Sequence, residues 1–211
     1  MEHSHLSHVV LALLVILVLF SNYMNSCSAT TTSTNSKTNI EYIEASCNVT
    51  AYRRLCYRSL ARRASEIKSD PKLLAHTALN TTLSAAKYTS RMMRDMSKIH
   101  SLKPKEAAAV LDCIADIHDS VEEIQKSMRE FDDDDTENSD LVVQISDVQT
   151  WVNAALEDED TCLVAFSGKA LNGKVKSRVR RSIKKLAHLT SNALALINSY
   201  ALVKNQSNFI N

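Results

Sequence analysis

VLDCIADIHDSVEEIQKSM, residues 110 to 128, decides the class of fold. Its apolar positions Val110, Ile114, Ile117, Val121, Ile124 and Met128 are spaced 4-3-4-3-4. At 3.6 residues per turn, that spacing draws one narrow apolar stripe down a helix, the seam of a bundle or coiled coil. A half-buried strand needs strict alternation, which the stretch lacks. Pro104, a few residues upstream, suits the first turn of the same helix.

The period recurs on both sides. SDPK (Ser69 to Lys72) sets a capping Ser or Asp ahead of Pro71, and the helix it starts is expected to reach Leu102. Ala75, Leu79, Leu83, Ala86, Met93 and Met96 line its inner face. Beyond the central stripe, seven acids between Glu130 and Asp140 mark a loop. A third helix follows Ser139 with Ile145, Val148, Val152 and Ala155 at spacings 3-4-3, and EDEDTC (Glu157 to Cys162) is expected to interrupt it. Gly168 and Gly173 punctuate the next connection. A fourth helix, from about Lys174 to Val203, turns Val175, Val179, Ile183, Leu186, Leu189, Ala193 and Leu196 inward. Four long amphipathic helices with mostly short connections predict an all-α, up-down-up-down four-helix bundle over 69–204. Two shorter helices over 40–68 precede it, and 205–211 is left as a tail.

Composition agrees. Two Gly, two Pro and 5% aromatic residues are too few for the turns of a sheet-rich fold. A length of 211 suits one domain with a sizeable core. The net charge of +1 is no footprint of a nucleic-acid binder.

The N-terminus is a targeting segment. VVLALLVILVLF (Val9 to Phe20) is too short to span a bilayer, which takes about 20 residues, and fits the apolar core of a signal peptide. Small residues at Cys27 and Ala29 suit cleavage after Ala29, although MEHSHLSH carries no Lys or Arg. Residues 1–29 are therefore expected to be removed and the protein secreted; a retained anchor is the alternative. TTTSTNSKTN (30–39) is polar and unperiodic, and reads as a flexible mature N-terminus.

Cleavage reduces five cysteines to four: Cys47, Cys56, Cys113 and Cys162. An even number in a secreted chain favours two disulfides, with three pairings open. On one unbroken helix, the nine steps of CNVTAYRRLC would part Cys47 and Cys56 by roughly 13 Å, beyond the reach of a disulfide. A bend at NVTAYRR, for which Asn48 and Thr50 are suitable turn residues, permits a local bridge. NVT (Asn48), NTT (Asn80) and NQS (Asn205) become glycosylation candidates.

The motifs speak against catalysis and cofactors. GKALNGKV (Gly168 to Val175) approaches a phosphate loop, but Val175 replaces the metal-binding hydroxyl and no strand precedes it. Counted from Asp132, an EF-hand would need Gly and Glu where Glu137 and Val143 stand. There is no H-E-x-x-H and no G-x-S-x-G; His76, His100, His118 and His188 are scattered over three helices. No metal, cofactor or catalytic residue is expected. KVKSRVRRSIKK (Lys174 to Lys185) carries seven positive charges, either a solvated helix face or a surface for a wall polysaccharide or membrane.

The sequence also resembles a family. CNVTAYRRLC is similar to the opening signature of the plant invertase and pectin methylesterase inhibitors. LDCIADIHDSVEEI (Leu111 to Ile124), DVQTWVNAALEDEDTC (Asp147 to Cys162) and HLTSNALALIN (His188 to Asn198) look like that family's later helix motifs, in the right order. The resemblance covers roughly 38–204. It implies an N-terminal helical hairpin over 40–68 on the bundle, and the pairings Cys47–Cys56 and Cys113–Cys162.

It further implies a non-enzyme that occludes an enzyme's substrate cleft in a one-to-one complex in the cell wall. By offset from the cysteines, Asp119, Glu122 and Thr161 match the family's contacts with pectin methylesterase. Two positions depart from the pattern: Val164 and Ala115 stand where some members carry acids. The invertase inhibitors' Pro-Lys-Phe tripeptide does not occur, which favours pectin methylesterase over acid invertase as partner. A non-inhibitory wall or membrane-surface protein using the 174–185 face is the rival of another class. No nucleic-acid partner, and no membrane after signal removal, is expected.

Overall fold

The computed structural model describes residues 35–133, 138–167 and 173–210. The signal segment, residues 134–137 of the acidic loop and the Gly168 end of the phosphate-loop lookalike lie outside the described residues. In chain order, α1 spans 35–46 and ends in a 3-10 turn, Cys47–Val49. Then come α2 (Arg53–Leu60), a 3-10 turn (Ala61–Arg63), α3 (Ala64–Ile67), α4 (Pro71–Ser97), α5 (Pro104–Asp132), α6 (Asn138–Ala165) and α7 (Lys174–Ile210). No strand occurs among the described residues.

The four long helices form the bundle. α4 packs on α5 and α7, and α6 on α5 and α7, so that each touches two neighbours around a square. α4 starts as the sequence predicts: Asp70 accepts a hydrogen bond from the Leu73 amide at 2.8 Å, and Pro71 fills the first turn. Before Pro104, the Lys103 amide donates to Glu106 Oε2 at 3.2 Å, satisfying one donor at the start of α5. Between α3 and α4 the chain reverses through Lys68 and Ser69, both at positive φ; the Ser69 hydroxyl donates to Asn39 Oδ1 at 2.8 Å.

Several expected boundaries move. α1 begins at residue 35, inside the stretch read as flexible. Its inner residue Ile43, and Cys47 just after it, are buried against the bundle, and that packing holds a helix whose polar sequence alone does not announce it. α4 stops at Ser97 rather than Leu102, and α7 runs on into the expected tail, to Ile210. EDEDTC does not interrupt α6, which is helical through Ala165.

The stripe on α5 is also rotated. Val110, Ile117 and Ile124 are fully buried, but Ile114, Val121 and Met128 are only partly so. Cys113, Ser120 and Ser127, also seven apart, take the inner positions instead. Small side chains there let α5 and α6 approach closely and put a disulfide sulfur and two hydroxyls at the inner positions.

The core has two halves, each containing one disulfide. Cys47–Cys56 lies with Ile43, Leu60, Ile67, Leu79 and Ile197 at one end. Cys113–Cys162 lies with Met93, Ile117, Phe166 and Ile183 at the other. The Cα–Cα distances are 5.7 and 4.9 Å. The turn at 47–52 brings the first pair together: Thr50, buried, bonds back to the Cys47 carbonyl through its hydroxyl (2.8 Å) and its amide.

Candidate functional site

Cys113 on α5 and Cys162 on α6 fix the register of two antiparallel helices, and that register gathers acids along the seam. On α5, Asp112, Asp116, Asp119 and Glu123 repeat at 4-3-4, flanking the buried stripe. α6 brings Asp158 against them, with Glu157 beside it on the same helix. Partial burial, followed by the charges of Asp119, Asp116, Glu123 and Glu157, pushes the Asp158 carboxyl up to about 6. Asp116 is raised by partial burial and by Asp112 and Asp119. Lys126 offsets part of this charge, 3.0 Å from Glu123 and 4.6 Å above the Trp151 ring.

Asp119, Glu122 and Thr161 are all exposed. Asp119 belongs with Asp158 and Asp116. His118 is shared by Asp119 and Glu122, its Nδ1 3.6 Å from the first carboxylate and its Nε2 3.9 Å from the second. Thr161 sits one turn beyond Asp158, and its hydroxyl donates to the Glu157 carbonyl at 2.9 Å. Val164 and Leu111, 70% and 60% exposed, stand near the two ends of the disulfide. An apolar surface therefore occupies the end of the acidic seam where the family pattern suggested another charge. Ala115 is exposed as well.

Glu159 explains why α6 continues through EDEDTC. It is fully buried, facing inward between its exposed acidic neighbours, and burial pushes its carboxyl up to about 8. Ser120 donates to its Oε1 at 2.8 Å, and the Thr190 hydroxyl lies 2.9 Å from the same oxygen. Thr190 has one proton, and the Leu186 carbonyl lies 3.2 Å from it. A neutral Glu159 resolves the competition: its own proton goes to Thr190, which then donates to Leu186. Its Oε2 has no partner among the described residues, a cost that is modest for a neutral carbonyl oxygen and large for a carboxylate. Sequence reading missed this residue, although one acid on the inward 3.6-residue position of an otherwise apolar face is a legible signal.

The basic run of α7 does not form one face. Arg180 turns toward α6, donating to the Leu163 and Phe166 carbonyls at 3.3 Å each and so closing that helix's C-terminus. Lys176 donates to the Ser167 carbonyl. Lys185 lines a groove on the opposite flank. Of the sequons, Asn48 is exposed and Asn80 half-buried within α4; Asn205 falls on α7. Cys113, Asp116 and Cys162 lie close enough to suggest a metal cluster, but both cysteines are bonded to each other.

Comparison with known proteins places this arrangement. Residues 41–196 match the family model described as plant invertase/pectin methylesterase inhibitor. The chain is 46% identical over 176 residues to pectinesterase inhibitor 10 of Arabidopsis thaliana, covering 83% of this chain but 55% of that protein. It is 39% identical over 178 residues to pectinesterase inhibitor 11 of the same plant, covering 83% and 88%. The crystal structure of a mutant form of a pectin methylesterase inhibitor from Arabidopsis superposes with a TM-score of 0.59 at 19% identity, over 72% of this chain and 92% of the other, a likeness of fold. An all-helical bundle with two internal disulfides, matched along most of its length, belongs to the plant invertase/pectin methylesterase inhibitor family, a family of non-catalytic inhibitors.

Proposed function

We propose that this protein is secreted to the cell wall and inhibits pectin methylesterase, docking one-to-one over the enzyme's substrate cleft. The observation that carries this reading is the α5–α6 seam, where Asp116, Asp119 and Asp158 crowd on two helices tied by Cys113–Cys162. A disulfide-tied bundle loses little freedom on docking. A concentrated acidic strip attracts a cleft lined by lysine or arginine and sets its orientation. Thr161 and the exposed Val164 extend the strip with a polar and an apolar contact. The names of the relatives support pectinesterase as the target class, and the missing Pro-Lys-Phe tripeptide argues against acid invertase. Of the three sequons, exposed Asn48 is best placed to carry a glycan.

The test is a titration of protein recovered from a secreting host against a plant pectin methylesterase and an acid invertase, at about pH 5 and pH 7. Saturable one-to-one loss of methylesterase activity alone is the expected result. Folded protein that leaves both enzymes active would overturn the reading and move the wall-binding rival ahead.

A further inference from the structure

On the other side of the bundle, a groove of about 1120 Å³ runs between α2 and the α4–α7 pair. Small-ligand pockets occupy about 300–1,000 Å³, so this space suits several units of a chain molecule. Five cations line it: Arg53, Arg54, Arg58, Arg62 and Lys185. No Asp or Glu does. None of the five has an ion pair or side-chain hydrogen bond among the described residues, whereas Arg63, Lys98 and Lys126 all pair with neighbouring acids. Such crowding without counter-charge costs self-repulsion that a bound anion relieves.

The groove is also preformed. Asn192 on α7 clamps the Tyr52 backbone from both sides: its side-chain oxygen accepts from the Tyr52 amide, and its side-chain nitrogen donates to the Tyr52 carbonyl, each at 3.1 Å. The Tyr52 ring stacks on His188 with centroids 3.4 Å apart. The start of α2 is thereby held against α7. Arg54 and Arg58 stand one four-residue step apart on α2, about 6 Å along the helix, and Arg62 follows four residues on, in the 3-10 turn. Tyr88 on α4, 56% exposed, and Tyr52, 37% exposed, add flat apolar faces to the lining.

We propose that this groove is a second binding site, separate from the acidic seam, and that its ligand is a linear acidic glycan. Guanidinium forks match carboxylates bidentately, so a ladder of arginines favours a chain bearing one carboxylate per unit. The tyrosine faces suit the C–H faces of sugar rings. A bilayer surface calls for a protruding apolar face, and this site is concave. Because methyl esterification removes the charge from a uronate, the groove ranks polyuronates by their free carboxyl content.

The test is calorimetric, with protein from a secreting host and no enzyme present, so it reads independently of inhibition. The probes are a decagalacturonate, the same oligomer fully methyl-esterified, and phosphatidylserine vesicles. Saturable binding of the free acid is expected, at least tenfold weaker for the ester and weaker in salt. The double variant Arg58→Glu/Arg62→Glu is expected to lose at least tenfold while keeping its melting temperature. Lys185→Gln probes the groove's other wall should the double variant melt early, and is expected to lose severalfold. Equal affinity for ester and acid, wild-type binding by either variant, or binding of vesicles but not of the decamer would overturn the proposal.

Discussion

The two charged surfaces sit on opposite sides of one bundle and are built differently. The acidic seam lies on α5 and α6, two helices each over 25 residues long, cross-linked where the acids gather. The basic groove depends on α2, eight residues long, held by the Cys47–Cys56 bridge, the Asn192 clamp and one ring stack. The seam is part of the scaffold, and the groove is an arm laid against it. What threatens the bundle threatens the seam; what frees the arm should remove the groove alone.

Breaking each disulfide puts this contrast to its hardest test. Cys113–Cys162 closes 49 residues, and its loss by Cys113→Ala/Cys162→Ala is expected to cost about 4 kcal/mol by loop entropy. Cys47–Cys56 closes nine, and its loss is expected to cost about 2.5 kcal/mol. Urea titration checks both figures. The second variant is further expected to keep methylesterase inhibition while losing glycan binding. If it loses both together, the arm supports the seam and the contrast fails.

Glu159 lies beneath the seam and is the next largest lever. With its carboxyl raised from 4.5 to about 8, the folded state holds a proton that the unfolded state gives up near 4.5. Its stabilising share is complete below about 4.5 and is lost as pH rises through about 8. Glu159→Gln keeps the neutral shape, so it is expected to be close to wild type at pH 5 and more stable than wild type at pH 9. Thermal melts across that range check it. Identical pH profiles for variant and parent would mean that Glu159 is ionised in the fold.

These residues also mark where sequence reading stops. The bundle was legible because Asp70, Pro71 and Pro104 punctuate it and the 3.5-residue stripes are local features. Rotation of the α5 stripe toward Cys113, Ser120 and Ser127 was not, because it depends on how closely α6 approaches. EDEDTC looks polar all round in one dimension; burial of one of its acids is settled by Ser120 and Thr190, on other helices. Asp119 is singled out as an expected contact by the family's cysteine offsets, but Asp158 beside it needs the antiparallel register to come into view. Arg54, Arg58 and Arg62 do carry a four-residue period, yet the wall opposite them is Lys185, more than 120 residues later.

A smaller effect separates the surfaces by function. Asp119→Ala is expected to weaken inhibition of pectin methylesterase about tenfold and leave glycan binding unchanged, since it removes one rim charge from the seam only. Arg58→Glu/Arg62→Glu is expected to do the reverse. Paired inhibition and calorimetric titrations read both. Wild-type potency for Asp119→Ala would take that residue out of the interface.

The smallest effect bears on how concentrated the seam is. Asp158 stands at about 6 because burial, and then four neighbouring carboxylates, disfavour its charged form. Its share of stability is complete below about 3.8 and is lost as pH rises through about 6. A carboxyl-carbon NMR titration is expected to find it there, and Asp119→Asn is expected to lower it by less than about one unit, because burial is the larger cause. The seam then gains negative charge across mildly acidic pH. An Asp158 titrating near 4 would mean that solvent separates these acids. The seam would then be an ordinary solvated helix face, and the groove the more distinctive surface of the molecule.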